Sequence, residues 1–123
     1  MKYFPIFLSV QNRRILVSGG GAAAVAKLRL LLKTEARITV FATQPAPEIS
    51  AWADAGRLML APRGLERADL RDAALLYAAD EDAAQDARIA AMGAEAGVLT
   101  NIVDNLDGSS FLTPAIVDRD PVT

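Results

Sequence analysis

Two sets of residues in this chain have the types and spacings that do chemistry. The first is a run of three glycines, Gly19, Gly20 and Gly21, with Ala24 three positions on. Gly19, Gly21 and Ala24 fit the G-x-G-x-x-G/A spacing of dinucleotide-binding turns. In such a turn Gly19 allows the tight exit from a strand. Gly21, without a Cβ, lets main-chain N–H groups approach a diphosphate, and Ala24 lets the helix lie close to the sheet. The phosphates would sit at the positive end of that helix, against its unpaired N–H donors. The plainer alternative is a glycine turn with no ligand.

The second set is carboxylates. The chain has no histidine and no cysteine. Proton transfer or cation contact therefore falls to carboxylates, hydroxyls, amides or backbone. Asp80–Glu81–Asp82 and Asp104 are the candidates, because each follows a run that reads as a strand. In doubly wound folds ligands collect at the carboxyl ends of strands. The acidic triplet reads most simply as a helix cap and first turn. Asp104 sits in the polar stretch TNIVDNLDGSSF. There it is either a turn-forming aspartate or a group that takes a proton from substrate or binds a hard cation.

The elements that must position these residues can be read along the chain. Ile15 to Ser18 is an apolar run, as in a strand buried on both faces. Ala22 to about Lys33 follows with Val25, Leu28, Leu31 and Leu32 at helical spacing. Ile6 to Val10 reads as a short strand before a turn at Gln11–Asn12. Ile38 to Ala42 is a second core strand. Pro47 suits the first turn of a helix over Glu48 to Ala55, stopped by Gly56. Leu58 to Ala61 is a strand ended by Pro62, and Glu66 to Arg71 makes one helical turn. Ala74 to Ala79 is a further strand. Asp82 to Ala96 is a helix with Ile89 and Met92 inward and Gly97 as its stop. Val98 to Val103 is a strand. Phe111 to Val117 reads as a last strand, at an edge or bulge because of Pro114. Alternating strands and helices predict an α/β fold: a doubly wound, mainly parallel, Rossmann-like sheet in a single domain over residues 1–123.

Composition narrows the function. The chain has 123 residues, 52% hydrophobic and 23% charged, enough for one domain with a proper core. Its 13 basic and 15 acidic residues give a net charge of −2, unlike an electrostatic nucleic-acid binder. The start lacks a long apolar region with a small-residue cleavage site, and no run approaches membrane-spanning length. The expected location is the cytoplasm, with neither nucleic acid nor membrane as partner.

A usual nicotinamide site places an acid about 20 positions past the glycines to bind the ribose. Here that region is Val40, Phe41, Ala42, Thr43, Gln44, without a carboxylate. Thr43 and Gln44 could bond a ribose, or simply open the loop before Pro45. No arginine for a 2′-phosphate is evident there, with Lys27, Arg29 and Arg37 left open. This mildly favours NAD over NADP.

Taken together, the motifs resemble one family. They are PIF (Pro5 to Phe7), LVSGGGAAAVAKLRLLL, ARITVFA, Trp52–Ala53 before Gly56, AADEDAAQDARI, NIVD (Asn101 to Asp104) and SSFLTPAIVDRDP. In this order they are similar to the N-terminal domain of siroheme synthase, the precorrin-2 dehydrogenase/sirohydrochlorin ferrochelatase family. The resemblance implies NAD-dependent dehydrogenation of precorrin-2 to sirohydrochlorin, with ferrous-iron insertion in some members. It implies Asp104 as the key residue of both steps, and Ala22–Ala23 and Thr43–Gln44 as nucleotide contacts beside Gly19, Gly20 and Gly21. No metal-ligating residues are expected. Ala22, Ala26 and Glu35 depart from the family pattern. The family continues into a region used for dimerisation and part of the cleft, which this sequence lacks. A homodimer is expected at full length. The alternative is a non-catalytic NAD-sensing module on the same fold.

Overall fold

The structure is a computed structural model, and it describes residues 2–105 and 107–111. The elements run β1 (Arg14–Ser18), α1 (Ala22–Leu31), β2 (Arg37–Phe41), α2 (Pro47–Asp54), β3 (Met59–Ala61), a 3₁₀ turn (Arg67–Leu70), β4 (Ala73–Ala78), α3 (Ala83–Glu95) and β5 (Leu99–Ile102). The strands form one sheet in the order β3-β2-β1-β4-β5, and every neighbouring pair is parallel. This is the doubly wound arrangement that the alternation predicts. Its strand order reverses between β1 and β4, which opens a crevice at their carboxyl ends.

The apolar runs are continuous because the central strands are covered on both faces. Ile15 and Val17 face α1 and α2, in a core with Val25, Leu28, Val40, Ile49, Leu75 and Tyr77. Leu16 faces the other way, with Phe41, Leu76, Ala78, Ile89 and Met92 beneath α3. Each fully buried aliphatic chain of this kind contributes about 1.5–3 kcal/mol. In α1 the residues Ala24, Val25, Leu28 and Leu31 share the buried stripe. Gly93 lets α3 lie close on the sheet: a Cβ there would meet Leu76 Cδ2 at 3.0 Å and run into Thr100 Oγ1. Both α2 and α3 stop where expected, with left-handed Gly56 (φ 75°) and Gly97 (φ 72°) following them.

Two expectations at the ends of the chain fare differently. Ile6 to Val10 is not a strand. It runs as irregular chain, with Ile6 63% and Phe7 105% exposed. Its apolar composition is strand-like, but β1 already has β2 and β4 as neighbours, so no ladder is open beside it. The turn at Gln11–Asn12 does form, with Asn12 at φ 59°. The expected last strand, Phe111 to Val117, lies outside the described residues except for Phe111, which sits in a bend. Phe111 meets Tyr77 edge-to-face with ring centroids 5.4 Å apart. Among the described residues, no helix is long and apolar enough to cross a membrane.

Candidate functional site: the glycine turn and the crevice beside it

The three glycines serve three different close approaches. Gly19 has φ +127°, and a Cβ on it would run into the Ala79 carbonyl at the end of β4. A Cβ on Gly20 would stand 2.7 Å from Ala42 Cβ and 3.0 Å from Pro45 Cα. One on Gly21 would stand 2.5 Å from Glu81 Oε2. Main-chain bonds complete the closure: Gly19 N–H donates to Phe41 O at 3.0 Å, and Ala46 N–H to Gly20 O at 2.7 Å. The turn is thus seated against the ends of β2 and β4 together.

Helix α1 opens directly from it. Gly21 is its N-cap, no side chain caps it, and its first turn carries no acid. Its initial N–H groups are therefore donors without an intrahelical partner. Ala22 is exposed and Ala23 half-buried, so neither side chain blocks that end. Ala24 is fully buried on the sheet side, as the third small position requires. A Cβ-free turn with open helix donors fits a dinucleotide diphosphate.

Thr43 and Gln44 lie in the bend after β2, and both are exposed. The Gln44 carbonyl comes within 3.2 Å of where a Gly20 Cβ would be, so the structure brings this pair to the glycine turn. Two of the three basic residues left open for a 2′-phosphate, Arg29 and Arg37, are placed elsewhere or are engaged. Arg37 begins β2, at the opposite end of the sheet, and its Nε donates to Asn12 O at 3.0 Å. Arg29 stands 3.8 Å from Glu48. Arg63, just after β3, lies over the Phe41 ring and holds both Asp69 oxygens at 2.8 Å. That fork raises the arginine pKa and, together with a main-chain bond from Glu66, lowers that of Asp69.

The acidic triplet after β4 divides into separate roles. Asp82 caps α3, its Oδ1 accepting from Gln85 N–H at 3.0 Å. Asp80 lies in the crevice itself: Ser18 Oγ donates to its Oδ2 at 2.7 Å, joining the ends of β1 and β4. Its main-chain N–H donates to Asp86 Oδ1 at 2.9 Å. Asp86 is buried on α3, and loss of water raises its pKa, with Asp80 and Asp82 adding to the rise. Glu81, between the two anchored aspartates, takes φ +59°.

Asp104 follows β5 at the same end of the sheet. It is exposed and left-handed, with φ 63°. Strand spacing puts the end of β5 about 10 Å from that of β1, with β4 between them. The loop folds back on the free edge of β5. Ser110 Oγ accepts from Thr100 N–H at 2.6 Å, Ser109 Oγ from Ile102 N–H at 2.9 Å, and Asn101 Nδ2 donates to Phe111 O at 2.9 Å. Val103 N–H donates to Ala78 O at 3.0 Å, tying the start of the Asp104 turn to β4. Asp104 forms no ion pair among the described residues.

Sequence reasoning missed Ser18 and Asp86. The signal for Ser18 was present: it is the polar residue ending an apolar strand directly before the glycines. Asp86 could be found only as the residue one helical turn past the Asp82 cap, on the inner side of α3.

A family model described as "Putative NAD(P)-binding" matches residues 6–115. The chain belongs to this NAD(P)-binding family. Siroheme synthases of Pseudoalteromonas atlantica and Escherichia coli O1:K1 are 39% and 38% identical to it over 99% of its length. The chain spans 26% and 27% of those two relatives. Among solved structures, a chain titled "SirC, precorrin-2 dehydrogenase" has a TM-score of 0.79 and 23% identity. That match covers 98% of this chain and 59% of the other, and it shows a shared fold. The family resemblance read from the motifs agrees with these relatives, and NAD(P) binding agrees with the geometry of the glycine turn.

Proposed function

We propose that this chain is the nucleotide-binding part of an NAD-dependent dehydrogenase that converts precorrin-2 to sirohydrochlorin on the way to siroheme. The observation that carries the proposal is the glycine turn: Gly19 and Gly20, where a side chain has no room, and Gly21 at an uncapped helix start. The names of the siroheme synthase relatives supply the substrate class.

In this reading Gly19, Gly20, Gly21, Ala22 and Ala23 hold the diphosphate through main-chain N–H groups. Thr43 and Gln44 bond the adenosine ribose with hydroxyl and amide. Without an arginine free at that bend, NAD suits it better than NADP. A bound NAD+ would supply the acceptor for the hydride that leaves the reacting carbon of the substrate. Asp104, at the other side of the crevice, takes the proton that must leave with it, which completes the two-electron oxidation. Its exposure leaves it open to a large macrocycle. In the full-length protein the same carboxylate would serve ferrous-iron insertion, with iron as substrate, and the assembly would be a homodimer in the cytoplasm.

The test uses the full-length protein with NAD+ and precorrin-2, followed by the visible spectrum of sirohydrochlorin. Asp104→Ala should lower turnover by about 10²–10⁴-fold while NAD+ affinity stays within about twofold. Unchanged turnover would remove Asp104 from the chemistry. NAD+ binding without any sirohydrochlorin from the unmodified protein would favour a nucleotide-sensing module instead.

A further inference from the structure

The turn between β4 and α3 holds its ends and presents its middle. Asp80 is fixed by Ser18 Oγ and by Asp86, and Asp82 is fixed as the cap of α3. Glu81 between them takes a left-handed conformation that side chains other than glycine, asparagine and aspartate rarely adopt. The result is that its carboxylate stands over the glycine turn. Oε2 is 2.5 Å from where a Gly21 Cβ would be, and the carboxyl carbon 3.8 Å. Gly21 is also the N-cap of α1, whose start carries no side-chain hydrogen bond. An anion is thus parked at the positive end of a helix without being bonded to it.

We infer that Glu81 is a built-in competitor for the diphosphate cradle, which an incoming dinucleotide must displace. This rests on the NAD(P)-binding reading of the glycine turn and goes beyond it by assigning a residue that weakens the cofactor's hold. The side chain is exposed and can swing into water once its contact is taken, so it gates the site without sealing it. A carboxylate left near the diphosphate also repels it, and salt screens that repulsion. The function of such a residue is release. A dehydrogenase must exchange reduced for oxidised nucleotide at every turnover, and a carboxylate that returns to the cradle speeds departure.

The chain offers a direct measurement. Dissociation constants for NAD+ and for ADP-ribose are determined by calorimetry on the 123-residue chain and on Glu81→Gln and Glu81→Gly. The first variant removes the charge and keeps the shape. The second removes the side chain and suits the left-handed backbone. Both should bind NAD+ about two- to fivefold tighter than the unmodified chain, the range expected for an exposed charge at a helix terminus. The same gain should appear with ADP-ribose, which shares the diphosphate and lacks the nicotinamide, and should shrink in high salt. Equal or weaker binding by both variants, with the unmodified chain still binding NAD+, overturns this inference alone. Absence of NAD+ binding by all three folded proteins overturns the cofactor reading and this inference with it.

Discussion

The glycine turn and the Asp104 turn stand at the same end of one sheet, yet they are held by different means. The first sits mid-sheet, closed by main-chain bonds to β2 and packed against the Ala79 carbonyl, Ala42 and Pro45. Its own three residues carry no side chain. The second hangs from the edge strand, and its loop is fastened by the hydroxyls of Ser109 and Ser110. Asp104 itself projects into solvent. A cradle for a rigid, common ligand can be made of backbone, whose position the core dictates. A carboxylate can come only from a side chain, and the edge is where one can be exposed without disturbing the core.

Paired substitutions test that contrast most strongly. Gly19→Ala forces a side chain into left-handed backbone and into a main-chain carbonyl. The expected destabilisation is about 2–4 kcal/mol, read from urea unfolding. Asp104→Gly should change stability by less than about 1 kcal/mol, and in the favourable direction, because glycine prefers that backbone. Comparable losses for both would dissolve the distinction between the two turns.

A smaller effect should come from the acid buried beneath the crevice. Asp86 holds its proton more tightly in the folded chain than in the unfolded one, chiefly through burial. Its contribution is therefore fully present below the unfolded carboxylate range and is lost as pH rises through its folded pKa. Asparagine at this position can still accept from Asp80 N–H and never ionises. The Tm of Asp86→Asn relative to the unmodified chain should thus improve from pH 3 to pH 7. A constant difference across that range would mean that Asp86 has the same pKa in the folded and the unfolded chain. Asp69 has the opposite sign: paired with Arg63, it stabilises the chain above the unfolded carboxylate range, and that is lost in acid.

The core strands and the glycine turn were legible because both are local in sequence. Ile15 to Val17 has to be buried on two faces to be so uniformly apolar, and three glycines before an alanine-rich stretch need a reason. The helix stops at Gly56 and Gly97 were legible for the same cause. What escaped were facts made by distant partners. The Ser18–Asp80 bond spans 62 positions and exists only because β4 lies beside β1. The left-handed state of Glu81 follows from two anchors that composition does not disclose. Ile6 to Val10 has strand-like residues, but a strand needs a ladder partner, and both sides of the neighbouring β1 are already taken by β2 and β4. The exposure of Asp104 agrees with a catalytic carboxylate, but its left-handed backbone agrees equally with a turn-forming aspartate.

The most direct test follows the main-chain amide resonances of the chain during titration with NAD+. Nucleotide binding in the cradle should give saturable shifts at Gly19 to Ala23 and at Thr43 and Gln44. Shifts around Asp104 should appear with NAD+ and be much smaller with ADP-ribose. If the resonances that move belong instead to the cleft lined by Leu65, Arg88 and Met92, or if the glycine turn stays unmoved at saturation, the cradle is not where the nucleotide binds.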